Sequence, residues 1–186
     1  MLFYIFVFLL ICQRVLELLI AKRNEHRMKQ KGAIEFGQSH YPFIVAVHCL
    51  FFVSLIIEVT FYHSDLSPYW AIFLLLFFIA QFGRLWALTS LGTFWNTKII
   101  VLPEAKIVKK GPYRYVKHPN YIIVAIELIV IPLLFQANIT AIVFTILNAM
   151  ILSIRIPAEE RALKSLTEYK ETFAKSSSQI NDVKKV

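Results

Sequence analysis

Glycine is scarce in this chain. The five glycines, at positions 32, 37, 83, 92 and 111, stand too far apart to build a G-x-G-x-x-G turn or a P-loop. That excludes the phosphate-cradling loops of soluble Rossmann proteins and P-loop ATPases. Cysteine is scarcer, with Cys12 and Cys49 each set inside an apolar block. They make no C-x-x-C pair and read as small buried hydrophobes, not as disulfide or metal partners. No H-E-x-x-H occurs, which removes a zinc protease. Charge is low too: 17% of residues are charged against 58% hydrophobic, and mean hydropathy is +0.61. A soluble domain of 186 residues would need more polar surface to cover its core.

What the chain has in plenty is apolar sequence in long blocks. They run from Met1 to about Ala21, Tyr41 to Tyr62, Tyr69 to Leu91, Tyr121 to Phe135 and Ile139 to Ile154. In lipid every backbone polar group must be bonded within the protein, so such blocks span as helices or as a closed barrel. These are too long for barrel strands and lack their alternation. The expected fold is an all-α integral membrane protein with about five transmembrane helices. The first block has neither a basic leader nor an A-x-A site, so it reads as a helix and not a signal peptide; its Arg14 and Glu17, spaced i, i+3, can pair. The last two blocks are joined by Gln136-Ala137-Asn138 alone and form a tight helical hairpin. The fourth is short for a hydrocarbon layer of ~30 Å, so it starts among the headgroups or tilts. After Ile154 the helical pattern continues through Leu163, Leu166, Tyr169 and Phe173, predicting a terminal amphipathic helix. Residues 176–186 read as a flexible tail.

The net charge of +8 is confined to alternate gaps. Residues 22–40 and 92–120 and the tail are basic, whereas 63–68 and 136–138 hold no Lys or Arg. The positive-inside rule then puts the N-terminus outside and the long 92–120 segment and C-terminus in the cytoplasm. The same distribution points to membrane lipids as partners and away from nucleic acid.

Two clusters carry chemistry. The first is Lys109 to Tyr121, where Gly111-Pro112 and His118-Pro119 mark two turns around aromatics, cations, His118 and Asn120. An interfacial aromatic and basic belt explains Lys109, Lys110, Lys117 and Tyr115, but not two proline turns that hold His118 and Asn120 at a helix mouth. The second is Arg155 to Arg161, in which Arg155 and Glu159 share a helix face one turn apart. A helix-end ion pair is its plain reading; the functional one is a cation for an anionic group and a carboxylate for an ammonium or hydroxyl. Pro157 should kink the helix or start a new one. Because spans four and five run antiparallel, both clusters return to one side of the membrane. Glu127 lies within the fourth span and more simply bonds a neighbouring helix, through Asn148 or a hydroxyl, than serves as a site. His48, Gln81 and Asn148 read as interhelical hydrogen-bonding groups. Ser90, Thr93, Asn96 and Lys98 follow the third span and could line the same cavity.

Together the clusters resemble the isoprenylcysteine carboxyl methyltransferase family, related to the phospholipid methyltransferases. That family's pattern is a Gly-x-Tyr turn, an Arg/Lys-His-Pro-x-Tyr segment, a helical hairpin and Arg-x-x-x-Glu-Glu. Here these are Gly111-Pro112-Tyr113, Lys117-His118-Pro119-Asn120-Tyr121, and Arg155 with Glu159-Glu160. Glu168-Tyr169 and Phe173 are similar to its closing Glu-Tyr-x-x-Tyr, so the likeness covers about 84–173. It implies N-terminal transmembrane helices over 1–83 and a catalytic region over 84–175, within one domain. It also implies methyl transfer from S-adenosylmethionine to a lipophilic acceptor. By that likeness Lys98, Ala105, Lys106, Ile107, Val108, Tyr113, His118, Pro119, Asn120, Tyr121 and Glu159 would contact the cofactor, and Arg155 would face the acceptor as the catalytic cation. No metal is implied.

Ile123 stands where the family usually has glycine, which changes the local packing that shapes the acceptor's place. The short chain looks more like bacterial than eukaryotic members, which suggests a bacterial plasma membrane. A carboxylate or enolic acceptor follows, such as an isoprenylcysteine-like acid or an alkylpyrone polyketide. The competing readings are a phospholipid amine N-methyltransferase, an NADPH-dependent reductase with a sterol-reductase-like His-x-Asn-Tyr segment, and a non-enzymatic membrane adaptor.

Overall fold

The computed structural model describes residues 1–39, 41–62 and 65–166. Among these, five α-helices carry the fold: α1 (Leu2–Gln30), α2 (Tyr41–Phe61), α3 (Trp70–Leu91), α4 (Pro119–Leu134) and α5 (Asn138–Leu166). Four are long and apolar enough to cross a membrane, and α4, with 16 residues, is a shorter apolar helix. At 1.5 Å per residue α4 spans only about 24 Å. The all-α membrane class holds.

Helix α1 outruns its apolar block, which ends near Ala21. Residues 22–30 are charged but contain no glycine or proline, so nothing stops the helix until Gly32. There it closes in a Schellman turn: Gly32 N–H donates to Lys29 O at 3.0 Å and Ala33 N–H to Met28 O at 3.1 Å, with Gly32 at φ +88°. The gap 22–40 is thus not a loop throughout. Its remainder supplies β1 (Ile34–Phe36), which pairs antiparallel with β2 (Ile99–Val101), Glu35 opposite Ile100. This two-stranded patch, absent from the sequence expectation, ties the first basic gap to the second.

Helices α4 and α5 form the expected hairpin. The amino end of α5 is held by Glu58 of α2, whose carboxylate accepts from Ile139 N–H at 2.9 Å and Thr140 N–H at 2.7 Å. A carboxylate there satisfies donors that a helix start leaves unpaired and meets the positive end of its dipole. Pro157 neither ends α5 nor starts another helix; α5 runs through it to Leu166. The expected continuation to Phe173 and the tail lie outside the described residues.

The core is aromatic and aliphatic. Phe3 packs edge-on to Phe135 with centroids 4.9 Å apart, and Phe51 meets Phe144 at 5.5 Å, around Leu55, Leu128 and Ile131. Between helices in lipid such packing holds by dispersion, since hydrocarbon covers apolar surface as well as protein does. The outward faces stay apolar: Phe82, Leu75, Ile142 and Met150 are all exposed. Lipid is the medium that suits them. Both cysteines are free, and neither is buried as expected: Cys49 is exposed on α2 and Cys12 is half-buried on α1.

Candidate active site

At the basic end of the bundle the two clusters meet. Pro119 starts α4 with its missing N–H at no cost, and His118 sits at the cap position with Asn120 and Tyr121 in the first turn. Across the hairpin, the last turns of α5 bring Arg155 and Glu159 beside them. Tyr121 O–H donates to Glu159 Oε2 and accepts from Arg155 Nε at 2.8 Å. The expected Arg155–Glu159 relation is therefore bridged through a phenol. Arg155 Nη2 donates to Thr97 O, and its guanidinium lies 5.5 Å from the Tyr121 ring centroid. Two segments, α4 through Tyr121 and the stretch before β2 through Thr97, grip this one arginine, which is 9% exposed. Its Nη1 has no protein partner among the described residues.

His118 stacks on Tyr121, centroids 5.3 Å apart at 20°. Its Nδ1 is 3.7 Å from Glu159 Oε2. Its Nε2 lies 3.5 Å from Glu160 Oε1, yet it is buried without a hydrogen bond, as is Asn120 Oδ1. Buried polar atoms are rarely left unpaired, and two together at one helix mouth point to a ligand. Tyr113 reaches the same place from a short 3-10 turn, Gly111–Arg114. Burial, and then the Glu159 charge, push its phenol above the ordinary value, so it stays a neutral donor at physiological pH.

These groups rim a cavity of about 410 Å³, within the usual range for small-molecule sites. Lys98, Tyr113, His118, Asn120, Tyr121, Arg155 and Glu159 all line it. Lys98 is also committed elsewhere, to Glu25 at 2.9 Å and Glu35 at 3.2 Å. Ala105, Lys106, Ile107, Val108 and Pro119 are not brought to the cavity. The coil 102–110 is instead tied to α5 by Glu104 N–H donating to Leu166 O at 3.0 Å. Asn96 lines the cavity; Ser90 and Thr93 do not. Exposed Val15 and Leu18 of α1 and exposed Val45 and Cys49 of α2 line it too, so it has an apolar mouth between these helices.

The inward end differs from expectation. Glu127 bonds neither Asn148 nor a hydroxyl. It pairs with Arg84, accepts from Arg14 Nη2 at 2.6 Å and Gln81 Nε2 at 2.7 Å, while Arg84 Nη1 and Arg14 Nη1 reach Glu17 Oε2 at 3.1 and 2.7 Å. Gln81 is interhelical, as its type suggested. His48, however, bonds its own helix at Ile44 O. Arg84 is the residue the sequence reading passed over. An arginine inside an apolar block was the available signal, because a buried carboxylate calls for one. Thr97, which offers only its carbonyl, gave no signal at all.

Comparison with known proteins accords with this geometry. A family model described as isoprenylcysteine carboxyl methyltransferase (ICMT) family matches residues 71–165, which take in α3, both clusters and the hairpin. A Bacillus subtilis protein, YpbQ, described as uncharacterized, is 49% identical over 162 residues, covering 87% of this chain and 96% of that one. An uncharacterized Haemophilus influenzae protein is 33% identical over 154 residues, 82% of this chain and 90% of that one. No solved structure gives a significant match. With half its length in the family model and a near-full-length relative at 49% identity, the chain belongs to the isoprenylcysteine carboxyl methyltransferase family, a family of membrane methyltransferases.

Proposed function

We propose that this protein is a membrane S-adenosylmethionine-dependent methyltransferase that methylates a carboxylate or enolic oxygen of a lipophilic acceptor. The observation that carries the reading is the Glu159–Tyr121–Arg155 chain beside two orphaned polar atoms, His118 Nε2 and Asn120 Oδ1, at the rim of a cavity with an apolar mouth. The donor set suits the cofactor. Asn120 Oδ1 and Glu159 can accept from its ammonium or ribose hydroxyls, and Tyr113 and His118 can donate to or accept from its remaining polar groups. Bound there, it would supply an electrophilic methyl group on a sulfonium.

Arg155 is fixed through Nε and Nη2, and its remaining Nη1 holds the anionic oxygen of the acceptor. A carboxylate is already ionised at neutral pH and needs no base. Catalysis is then mostly placement and exclusion of water. Glu159 balances the Arg155 charge through the Tyr121 phenol, so the guanidinium stays in place when the acceptor leaves. A cation facing the acceptor favours an oxyanion over a phospholipid amine. The acceptor enters from lipid through the mouth between α1 and α2. The cofactor enters from the basic end, which we place in the cytoplasm of a bacterial plasma membrane, with the N-terminus outside.

The test is calorimetric titration of detergent-solubilised protein with S-adenosylmethionine, then incubation of native membranes with methyl-labelled cofactor and identification of the labelled lipid. Binding together with a labelled ester or enol ether is expected. A labelled amine would assign the acceptor to phospholipids, and tight NADPH binding without S-adenosylmethionine binding would overturn the reading. Loss of binding in His118→Ala, with its fold intact, is expected to confirm the site.

A further inference from the structure

The cavity has a second polar tier, deeper among the helices, that methyl transfer at Arg155 does not use. Six of its lining residues lie at this level: Arg14, Glu17, His48, Arg84, Glu127 and Asn148. Their common depth follows from the helix registers. Glu127 is six residues beyond Tyr121 on α4, and Asn148 is seven before Arg155 on α5, so both lie about 9–10 Å further from the basic end. On α2, Phe51 faces Phe144 and Ser54 bonds Thr140 at 2.8 Å. Counting back along that antiparallel pair sets His48 opposite 146–147, next to Asn148.

The tier divides into a closed part and an open part. The two arginines and two glutamates bond one another, and their formal charges cancel. They present neither a free cation nor a free anion. Asn148 is different. It is 5% exposed, lines the cavity and has no hydrogen-bond partner among the described residues. Its amide atoms are not sealed in the protein but open into the cavity, so they are paired by whatever occupies it. His48 adds to it: because Ile44 O can only accept, Nδ1 at 2.8 Å carries the proton. In the neutral ring Nε2 is then a bare acceptor, also without a partner among the described residues.

We infer that this tier recognises a neutral hydrogen-bonding group, a hydroxyl or ketone, carried by the lipophilic acceptor about 9–10 Å from the oxygen that is methylated. The charge balance of the tier rules against a second ionised group, whose desolvation nothing there would offset. Asn148 N–H donates to the group's oxygen, and where the group is a hydroxyl its proton goes to His48 Nε2 or Asn148 Oδ1. The acceptor class is therefore a lipophilic acid or enol oxygenated again partway along its length, in preference to one with a plain hydrocarbon chain. This rests on the methyltransferase reading for the polar end of the acceptor.

Two probes test it: a saturated long-chain fatty acid and the same acid bearing a mid-chain hydroxyl. Binding is followed by the fluorescence of Trp95, which is 2% exposed and lines the cavity, with S-adenosylmethionine titrated separately. The wild type should bind the hydroxylated acid about tenfold more tightly, the worth of one to two neutral hydrogen bonds. Asn148→Leu should bring the ratio close to one without changing S-adenosylmethionine affinity, and His48→Phe should reduce it. Equal binding of the two acids by wild type would overturn the inference and leave water as the tier's occupant. A fall in S-adenosylmethionine affinity in Asn148→Leu would also overturn it, assigning the tier to the cofactor. If wild type binds no S-adenosylmethionine yet prefers the hydroxylated acid, the methyltransferase reading fails and the tier stands. Should either variant not fold, the wild-type comparison still decides.

Discussion

Tyr121 is the residue on which the candidate site turns. Its hydroxyl is both donor to Glu159 and acceptor from Arg155, so removing one oxygen breaks two charge-assisted bonds. Tyr121→Phe keeps the ring that His118 stacks on and leaves Arg155 Nε and Glu159 unbridged at a half-buried rim. Each such bond contributes about 1.5–3 kcal/mol, so losing the worth of one of them from the transition state should lower methyl transfer roughly 10- to 100-fold. The measurement is kcat/KM with labelled S-adenosylmethionine; unchanged kinetics would mean that the bridge is only structural. Much at this scale was legible beforehand. His118, Asn120, Tyr121, Arg155 and Glu159 stand out because polar groups cluster at turns beside apolar helices. The bridge itself was not, since i, i+4 spacing suggests a direct Arg155–Glu159 pair and says nothing of a phenol arriving from another helix.

At the scale of elements, the loop over the site is held by two devices. One is Gly111, at φ +58°, where an added Cβ would collide with the Ser90 side chain and sit 2.9 Å from Trp86 Nε1. Gly111→Ala is therefore blocked by conformation and by space. It should lower the melting temperature and displace Tyr113, weakening cofactor binding; an unchanged melting temperature would contradict the close approach. The other device is the ion cluster of Lys98 with Glu35 and Glu25, set at the paired strands. Burial opposes ionisation of Glu35, but its pairing with Lys29 and Lys98 outweighs this and holds the carboxyl below its ordinary 4.5. The bond to Glu25 first, against some burial, raises Lys98 above 10.5. The Glu35 contribution is thus present above 4.5 and lost as pH falls through the lowered value; that of Lys98 is present below 10.5 and lost as pH rises through the raised one. The stability gap between wild type and Lys98→Met should accordingly be flat from about pH 5 to 10 and close in acid. Thermal unfolding across pH measures it. Neither device was visible to periodicity. The strands are three residues each, below any pattern's reach, and α1 ran past its apolar block because helix propensity does not end where hydropathy does.

Across the whole molecule, the helices are joined by charge in the one place where charge is costly. Arg14 and Glu17 of α1, Arg84 of α3 and Glu127 of α4 form a neutral quartet, with Gln13 and Gln81 bonding its outer oxygens. The number of spans could be read from hydropathy; their mutual arrangement could not, because apolar faces in lipid do not specify partners. Only the intramembrane polar residues do, and Arg84 was the missing one. Arg84→Met alone leaves Glu127 and Glu17 sharing a single arginine, a net charge stranded beside the cavity, and should cost about 3–5 kcal/mol. Glu127→Leu strands the opposite charge at similar cost. The double variant restores neutrality, since Arg14 and Glu17 still pair at 2.7 Å, and two apolar side chains of similar bulk fill the space. Its cost should be well below the sum of the single costs, by about 1–3 kcal/mol of coupling. Thermal unfolding in one detergent for all four proteins measures that cycle. Strict additivity would show that Arg84 and Glu127 act separately; a double variant nearer to wild type than either single one would show that the quartet fixes which helices meet and adds little to how firmly they hold.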